Sequence, residues 1–254
     1  MRALIDLLPE VEAMARGAAR IILEVYASDF DIRAKADDSP VTEADERAEA
    51  FIVQALAAFT PGVPIVAEEL AARGTLPAPG GLFWLVDPLD GTREFVSRNG
   101  EFTVNIALIE QGRPVLGVVQ VPVADRLYAG VAGQGSWIVE AGQRRPIRAR
   151  TTPREGATLA CSRSHGDEAA LSNWLQGRPI AARVNAGSSL KFGLIAAGQA
   201  DLYPRLGPTM EWDTAAGHAV LWAAGGRVCD LAGLPLAYGK PGHANPPFVA
   251  SGAA

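Results

Sequence analysis

Apolar residues at Ile5, Leu8, Met14, Ala18, Ile21, Ile22 and Val25 recur at helical spacing, which predicts an amphipathic helix over 3–27. A second helix is expected from Thr42, just past Pro40, to about Phe59. Pro61, Gly62 and Pro64 then break the chain before a short apolar strand at 65–67. A loop rich in Gly and Pro follows over 74–81, and the run 82–86 (Leu-Phe-Trp-Leu-Val) reads as a buried strand. Further strands are expected at 102–109, 114–123, 126–131 and 136–139, with turns at Gln111-Gly112 and Gly133-Gln134-Gly135. Beyond about residue 155 helix and strand alternate. Helices are expected at 168–175, 188–197 and 214–224, each with a glycine stop, and strands at 157–160, 181–186, 200–203 and 227–229. An α+β half over 1–153 followed by an α/β half over 154–254 predicts stacked layers of helices and sheets, joined by a hinge near 150–157.

Composition narrows the class. The 254 residues are 48% hydrophobic and 20% charged, and 23 basic against 28 acidic residues give a net charge of -5. A chain of this length buries roughly three quarters of its unfolded surface and needs no staple to fold. The acidic balance disfavours nucleic acid, whose grooves call for a basic face. No apolar run is long enough to span a bilayer, and Met1 to Leu8, with Asp6, lacks the pattern of a signal peptide. Cys161 and Cys229 make no disulfide framework and suit a reducing cytoplasm. A cytoplasmic location is therefore expected, and peripheral attachment at the inner membrane would leave no mark in such a sequence.

Common catalytic motifs are missing. There is no glycine-rich loop ending in Lys-Ser or Lys-Thr, no His pair at metal-binding helical spacing, and no Gly-x-Ser-x-Gly elbow. His165, His218 and His243 with two cysteines do not make a zinc site. His218 and His243 are read as structural and loop residues, and Cys161 as a small buried group.

The chain does place carboxylates at element ends. In Trp84-Leu-Val-Asp87-Pro88-Leu89-Asp90-Gly91-Thr92 an apolar strand delivers Asp87 into a turn. Pro88 fixes the backbone there, and Gly91 permits a tight bend before a helix starting at Thr92. Two carboxylates with a carbonyl between them form the all-oxygen environment Mg²⁺ prefers, and the helix start offers N–H groups to a phosphate. Glu68-Glu69 again follows a strand, Asp213 sits where a helix begins, and Asp45 lies three residues after Thr42. Each acid also has a purely structural account: a turn with Asp87 as cap, a solvated pair, an N-cap and a capping box. Four such placements in one chain favour a shared site.

Asp87-Pro-Leu-Asp-Gly-Thr92, Glu68-Glu69 ahead of it and Trp212-Asp-Thr-Ala-Ala-Gly217 behind it resemble the signature of the inositol monophosphatase superfamily, and Ser39-Pro-Val-Thr-Glu-Ala-Asp45 extends the match toward the N-terminus. Within it the chain is most similar to the bacterial CysQ branch of 3′(2′),5′-bisphosphate nucleotidases. That likeness is carried by Gly91-Thr-Arg-Glu-Phe95, the run 98–109, Ser162-Arg-Ser-His165, Gly187-Ser-Ser-Leu-Lys191 and Asp201-Leu-Tyr-Pro-Arg205. One departure is Leu70, which follows the glutamate pair where the family often has Ser.

The resemblance implies a layered αβαβα sandwich of the inositol monophosphatase and fructose-1,6-bisphosphatase type. It also implies a lithium-sensitive phosphatase using two or three Mg²⁺ ions. Glu68, Asp87 and the Leu89 carbonyl would hold one ion, Asp87, Asp90 and Asp213 a second, and Asp45 a third through water. Thr92 and Glu68 would orient a metal-activated water, and the amides of Gly91 and Thr92 would hold the phosphate. Ser188, Lys191 and Arg205 would take the retained 5′-phosphate, with His165 near the adenine or ribose. The implied reaction converts adenosine 3′,5′-bisphosphate to AMP and phosphate, clearing a by-product of sulfate assimilation. An inositol or other sugar phosphatase would share the metal ligands and differ at 165, 188, 191 and 205. A non-catalytic nucleotide sensor would be expected to lack a ligand or Thr92, and all are present. Monomer and homodimer are both compatible with the sequence.

Overall fold

The computed structural model describes residues 3–34, 40–74, 80–163 and 168–253. His165, Ser39 and residues 75–79 of the expected 74–81 loop lie outside the described residues.

The chain opens with α1 (Leu4–Tyr26), a short ribbon of β1 (Arg33–Ala34) and β2 (Pro40–Val41), and α2 (Glu43–Phe59), capped by Thr42. β3 (Ile65–Ala67) leads directly into the single-turn helix α3 (Glu68–Ala72). β4 (Leu82–Asp90) runs four residues beyond the expected strand and ends at α4 (Thr92–Val96). A meander follows of β5 (Thr103–Glu110), β6 (Arg113–Val121), β7 (Arg126–Val131), β8 (Gly135–Glu140) and β9 (Gln143–Ile147). β3 to β9 form one seven-stranded sheet in sequence order, antiparallel except for the β3–β4 pair. Gln111 and Gly112 both take positive φ, 49° and 74°, the mirror-image turn that suits a tight hairpin between β5 and β6.

The second half contains β10 (Ala157–Ser162), α5 (Glu168–Leu175), β11 (Ile180–Ala186), α6 (Leu190–Ala196), β12 (Leu202–Arg205), α7 (Glu211–Ala223), β13 (Arg227–Asp230) and β14 (Phe248–Ser251). Its five-stranded sheet has the order β11-β10-β12-β14-β13. Besides the two-residue β1 and β2, two longer strands escape the sequence pattern, for physical reasons. β9 is an exposed edge carrying Arg144, Arg145 and Pro146, so no alternation marks it. β14 is only four residues long and joins its sheet through pairing with β12 and β13, strands made far earlier in the chain.

Alternating residues of β4 face two cores. Trp84 and Val86 pack with α1 and α2, whereas Phe83 and Leu85 pack with α6, α7 and the second sheet, including Tyr203, Phe248 and Ala250. A strand buried on both faces reads as an unbroken apolar run, as 82–86 does. Trp174 of α5 lines a cavity together with Leu202 and Val249 of the small sheet, and the layers follow the expected αβαβα sandwich. Among the described residues no helix is long and apolar enough to cross a membrane.

α7 is the central layer's main piece, buried from Glu211 and Trp212 through Leu221 apart from Asp213. It lies against the large sheet so closely that a Cβ at Gly117 would stand 2.4 Å from the Ala216 carbonyl oxygen, and one at Gly130 2.6 Å from Val220 Cα. Ser136 Oγ, 2.9 Å from the carbonyl oxygens of Ala129 and Val220, shares its proton between strand and helix. Gly117→Ala should destabilise the fold by about 1–3 kcal/mol through overpacking against backbone that has no rotamer to yield. An unchanged urea midpoint and slope would show that the helix is free to move away.

On the other face, Glu49 of α2 accepts the Glu69 backbone N–H at 2.7 Å and so holds the first turn of α3. Burial pushes its carboxyl up from 4.5 to about 7, a rise opposed by that amide and assisted by the charges of Glu69 and Glu68. Between these values the folded chain keeps a proton that the unfolded chain has released. The resulting stability is complete below the unfolded value near 4.5 and is lost as pH climbs through 7. The shift corresponds to about 3 kcal/mol. Glu49→Gln, which keeps the acceptor without the charge, should flatten metal-free denaturation profiles between pH 5 and 8 and raise stability at the upper end; equal slopes for both proteins would remove Glu49 as the source.

Candidate active site

The end of β4 is shaped by its own sequence. Pro88 has no N–H to give to β5, and the β4–β5 register is interrupted between Asp87 and Asp90. Leu89 N turns instead to Asp87 Oδ1 at 3.0 Å. Gly91 takes φ 94°, where a side chain is strained, and the chain enters α4 at Thr92 as expected. A cleft of about 250 Å³ opens here, and Glu68, Asp87, Leu89, Asp90, Gly91, Thr92 and Asp213 all line it together with Ser188, Lys191 and Arg205. Residues from both halves of the sequence therefore meet in one place. Glu69, the second of the pair, is buried and does not line the cleft.

Asp45 makes the expected capping box and also reaches Thr92. Its Oδ2 accepts Thr42 N at 2.8 Å and Thr42 Oγ1 at 2.7 Å, a capping box, while Oδ1 accepts Thr92 Oγ1 at 3.1 Å. It is buried behind Thr92 and is not part of the cleft lining. Asp213 differs from the expected N-cap. Met210 holds that position, α7 starts at Glu211, and Asp213 reaches back to accept Met210 N at 2.8 Å. The helix begins earlier because Glu211 is itself buried and satisfied by Gly239 N, Lys240 N, Lys240 Nζ and His243 Nδ1.

Asp90 Oδ2 accepts Ser189 N at 2.6 Å, Ser189 Oγ at 2.7 Å and Asn105 Nδ2 at 3.3 Å. Burial still raises the Asp90 carboxyl above the usual range against these donors and the Lys191 charge. Asp213 is raised well above it, by burial first and then by the charges of Asp90 and Glu68. Negative charge is thus crowded at one part of the cleft.

The second half supplies cations, though not as isolated arms. Lys191 is buried, its Nζ donates to Ala186 O at 3.0 Å and Ser188 O at 2.7 Å, and it lies 5.0 Å from the Tyr203 ring centroid. Burial lowers it to about 8, with Asp90 opposing and Arg205 adding to the fall. Arg205 Nη2 donates to Pro208 O at 3.1 Å. Ser188, at φ 40°, donates its hydroxyl to Glu101 O at 2.7 Å, so that proton is already committed inside the protein.

Three residues of this assembly, Glu101, Arg163 and Ser189, lie in stretches that carry the family resemblance but are given no role of their own by the sequence. Glu101 receives a two-pronged contact from Arg163, Nε at 2.8 Å and Nη2 at 2.7 Å, and also accepts Gly187 N at 2.8 Å. Ser189 joins Asp90 to α7. The pairs are 62 to 99 residues apart in sequence, beyond the reach of any local spacing rule. The remaining expectations concern side chains away from the cleft. His218 is buried, pushed down to about 3 by that burial, with Nδ1 2.9 Å from Tyr238 Oη. His243 lies in a loop and is also buried. Cys161 is half-buried rather than buried, because β12 pairs with β10 only at Leu159 and leaves its last residues partly uncovered.

Among the described residues no three His, Cys, Asp or Glu side chains stand together as a group that could hold a metal ion as placed. Asp87, Asp90 and Asp213 are each turned toward amide or hydroxyl donors. The donor set nonetheless fits a hard divalent cation: four carboxylates and the Leu89 carbonyl give oxygen alone, and the raised carboxyls of Asp90 and Asp213 mark a site short of positive charge.

A family model described as the inositol monophosphatase family matches residues 6–250. A 3′(2′),5′-bisphosphate nucleotidase CysQ of Escherichia coli K12 is 46% identical over 248 residues, covering 96% of this chain and 99% of the relative. The Salmonella typhimurium protein of the same name is 47% identical over 234 residues, covering 91% and 94%. The crystal structure of CysQ from Bacteroides thetaiotaomicron superposes with a TM-score of 0.79 at 36% identity, covering 95% of both chains. An inositol monophosphatase from Anabaena gives 0.78 at 26% identity, covering 98% of this chain and 92% of the other. From its sequence match, its sandwich fold and its cleft, the chain is a phosphatase that belongs to the inositol monophosphatase family.

Proposed function

We propose that this enzyme removes the 3′-phosphate of adenosine 3′,5′-bisphosphate, giving AMP and phosphate, with Mg²⁺ as its cofactor. The observation that carries the reading is one cleft lined both by Glu68, Asp87, Asp90 and Asp213 and by Lys191 and Arg205. The first group suits divalent cations and the second suits an anion beyond them. The curated relatives named above as bisphosphate nucleotidases support the choice of substrate.

In this reading Glu68, Asp87 and the Leu89 carbonyl would hold one ion, Asp87, Asp90 and Asp213 a second, and Asp45 would take part in a third site through water. Bound Mg²⁺ supplies Lewis-acid polarisation of the phosphate and lowers the pKa of water. The chain's own residues do the rest. Thr92 Oγ1, whose proton goes to Asp45 Oδ1, keeps its lone pairs for a water in the cleft. A proton leaving that water passes to Thr92 Oγ1 as the Thr92 proton moves to Asp45. Asp45 stays in place because Thr42 grips its other oxygen. Glu68 orients the same water, and the amides of Gly91 and Thr92 bind phosphate oxygens.

The retained 5′-phosphate is taken by Arg205 and Lys191, with His165 beside the adenine or ribose. Two of the three N–H donors of Lys191 serve Ala186 and Ser188, and the third is available to a phosphate. Ser188 contributes through the shape of its turn, since its hydroxyl serves Glu101.

Phosphate release with Mg²⁺ is expected to favour adenosine 3′,5′-bisphosphate over inositol 1-phosphate and fructose 1,6-bisphosphate, and to fall with Li⁺ or EDTA. Preference for a sugar phosphate would keep the carboxylate site and overturn the reading of Lys191 and Arg205. Asp213→Asn should lower kcat by about a hundredfold or more, roughly 3 kcal/mol, with the fold retained. Activity close to wild type would exclude Asp213 as a ligand. Lys191→Met should raise KM for the bisphosphate about tenfold, roughly 1.4 kcal/mol, and leave KM for a nucleoside 3′-monophosphate nearly unchanged. An equal rise for both would assign Lys191 to the turn alone.

A further inference from the structure

We propose that Ser189 is a positioning residue that locks the Asp90 carboxylate to the N-terminal turn of α7, so that Asp90 and Asp213 meet a divalent cation as a pair set before it arrives. The inference rests on the metal-site reading above. Ser189 is 1% exposed; its N donates to Asp90 Oδ2 at 2.6 Å, and its hydroxyl, 2.7 Å from Asp90 Oδ2, shares its one proton between that carboxylate and the main chain of α7. Its hydroxyl oxygen is also 2.7 Å from Asp213 O and receives Asn105 Nδ2 at 2.9 Å. One small side chain thus joins β4, β5 and α7 at a single oxygen.

A pin of this kind works only if the pin is fixed. The turn before it is held from three directions: Glu101 takes Gly187 N and the Ser188 hydroxyl, Arg163 grips the Glu101 carboxylate, and Lys191 ties the carbonyls of Ala186 and Ser188. Ser189 itself has helical backbone angles, φ -69° and ψ -5°, without strain of its own. Two like charges such as Asp90 and Asp213 repel and would turn apart if unrestrained. A hydroxyl that faces one carboxylate and the other residue's main chain sets where the Asp90 carboxylate lies against the first turn of α7 without adding charge, and Met210 N holds the Asp213 carboxylate in that same turn. Partners of metal ligands that act this way are worth about 10–100-fold in metal affinity.

The test is calorimetric titration of Mg²⁺ into the full-length wild-type protein, Ser189→Ala and Asn105→Ala, with thermal melting of each in EDTA. Ser189→Ala should weaken Mg²⁺ binding by about tenfold or more, and Asn105→Ala by a smaller factor in the same direction. The double variant should lose less than the product of the two factors, because both act through one oxygen. Affinity equal to wild type in both single variants would overturn the proposal. A lowered metal-free melting point with unchanged Mg²⁺ affinity would also overturn it, leaving Ser189 a merely structural residue. Should Ser189→Ala fail to fold, Ser189→Cys, which keeps a small side chain but weakens both hydroxyl contacts, decides by the same criterion, since Asn105 also donates directly to Asp90. Absence of Mg²⁺ binding by the wild type would refute the metal-site reading itself, and the proposal with it.

Discussion

The site depends on how closely α7 lies on the large sheet. Gly117 and Gly130 leave no side chain between strand and helix, and any Cβ there would collide with helix backbone. Main chain against main chain is a stiff contact, because it contains no rotamers to adjust. The carboxylates of Asp87 and Asp90 come from β4 of that sheet, and Asp213 comes from the first turn of α7. Their mutual placement is therefore set by the thickness of a packing layer rather than by a loop. The buried anchoring of Glu211 by Gly239, Lys240 and His243 then fixes where along its axis the helix begins.

Such rigidity lets the fold hold charges that would otherwise separate. Burial raises the affinity of Asp90 and Asp213 for protons, the charges of Asp90 and Glu68 raise that of Asp213 further, and the cheapest relief in a flexible protein would be rotation into water. Here the backbone denies that relief. The protein keeps the acids in place with uncharged donors, Ser189, Asn105 and the amides of Leu89 and Met210, which stabilise without cancelling the charge. A cation with oxygen preference then gains the full attraction of the site.

Much of this was legible in the residues, and the reason is locality. The run from Trp84 to Thr92 carries its own instructions: a two-faced apolar strand, a proline that stops the ladder, a glycine able to take positive φ. Thr42 and Asp45 likewise announce a helix start three residues apart. What escaped is made between distant parts of the chain. Glu101 with Arg163, and Asp90 with Ser189, are ordinary residue types at unremarkable spacing, and only the packed layers bring them together. Asp213 fell between the two cases. Its place at a helix start could be read, but its rank within the first turn depended on Glu211, whose partners lie 28 to 32 residues further along. β14 was hidden for the same reason, since three apolar residues and a serine specify a strand only when β12 and β13 flank them.

Lys191 shows why positioning and recognition are hard to separate in this cleft. An ammonium taken out of water needs acceptors, and the carbonyls of Ala186 and Ser188 provide them beside the Tyr203 ring. Those same carbonyls belong to the turn that presents Ser189 to Asp90. The cation that faces the cleft is thus bonded to the segment that orders the acids. A group on α6 that only snorkelled outward would leave the turn indifferent to what enters. Because Lys191 instead bridges cleft and turn, the proposed binding of an anion at its remaining N–H would engage the same segment that holds Ser189 against Asp90.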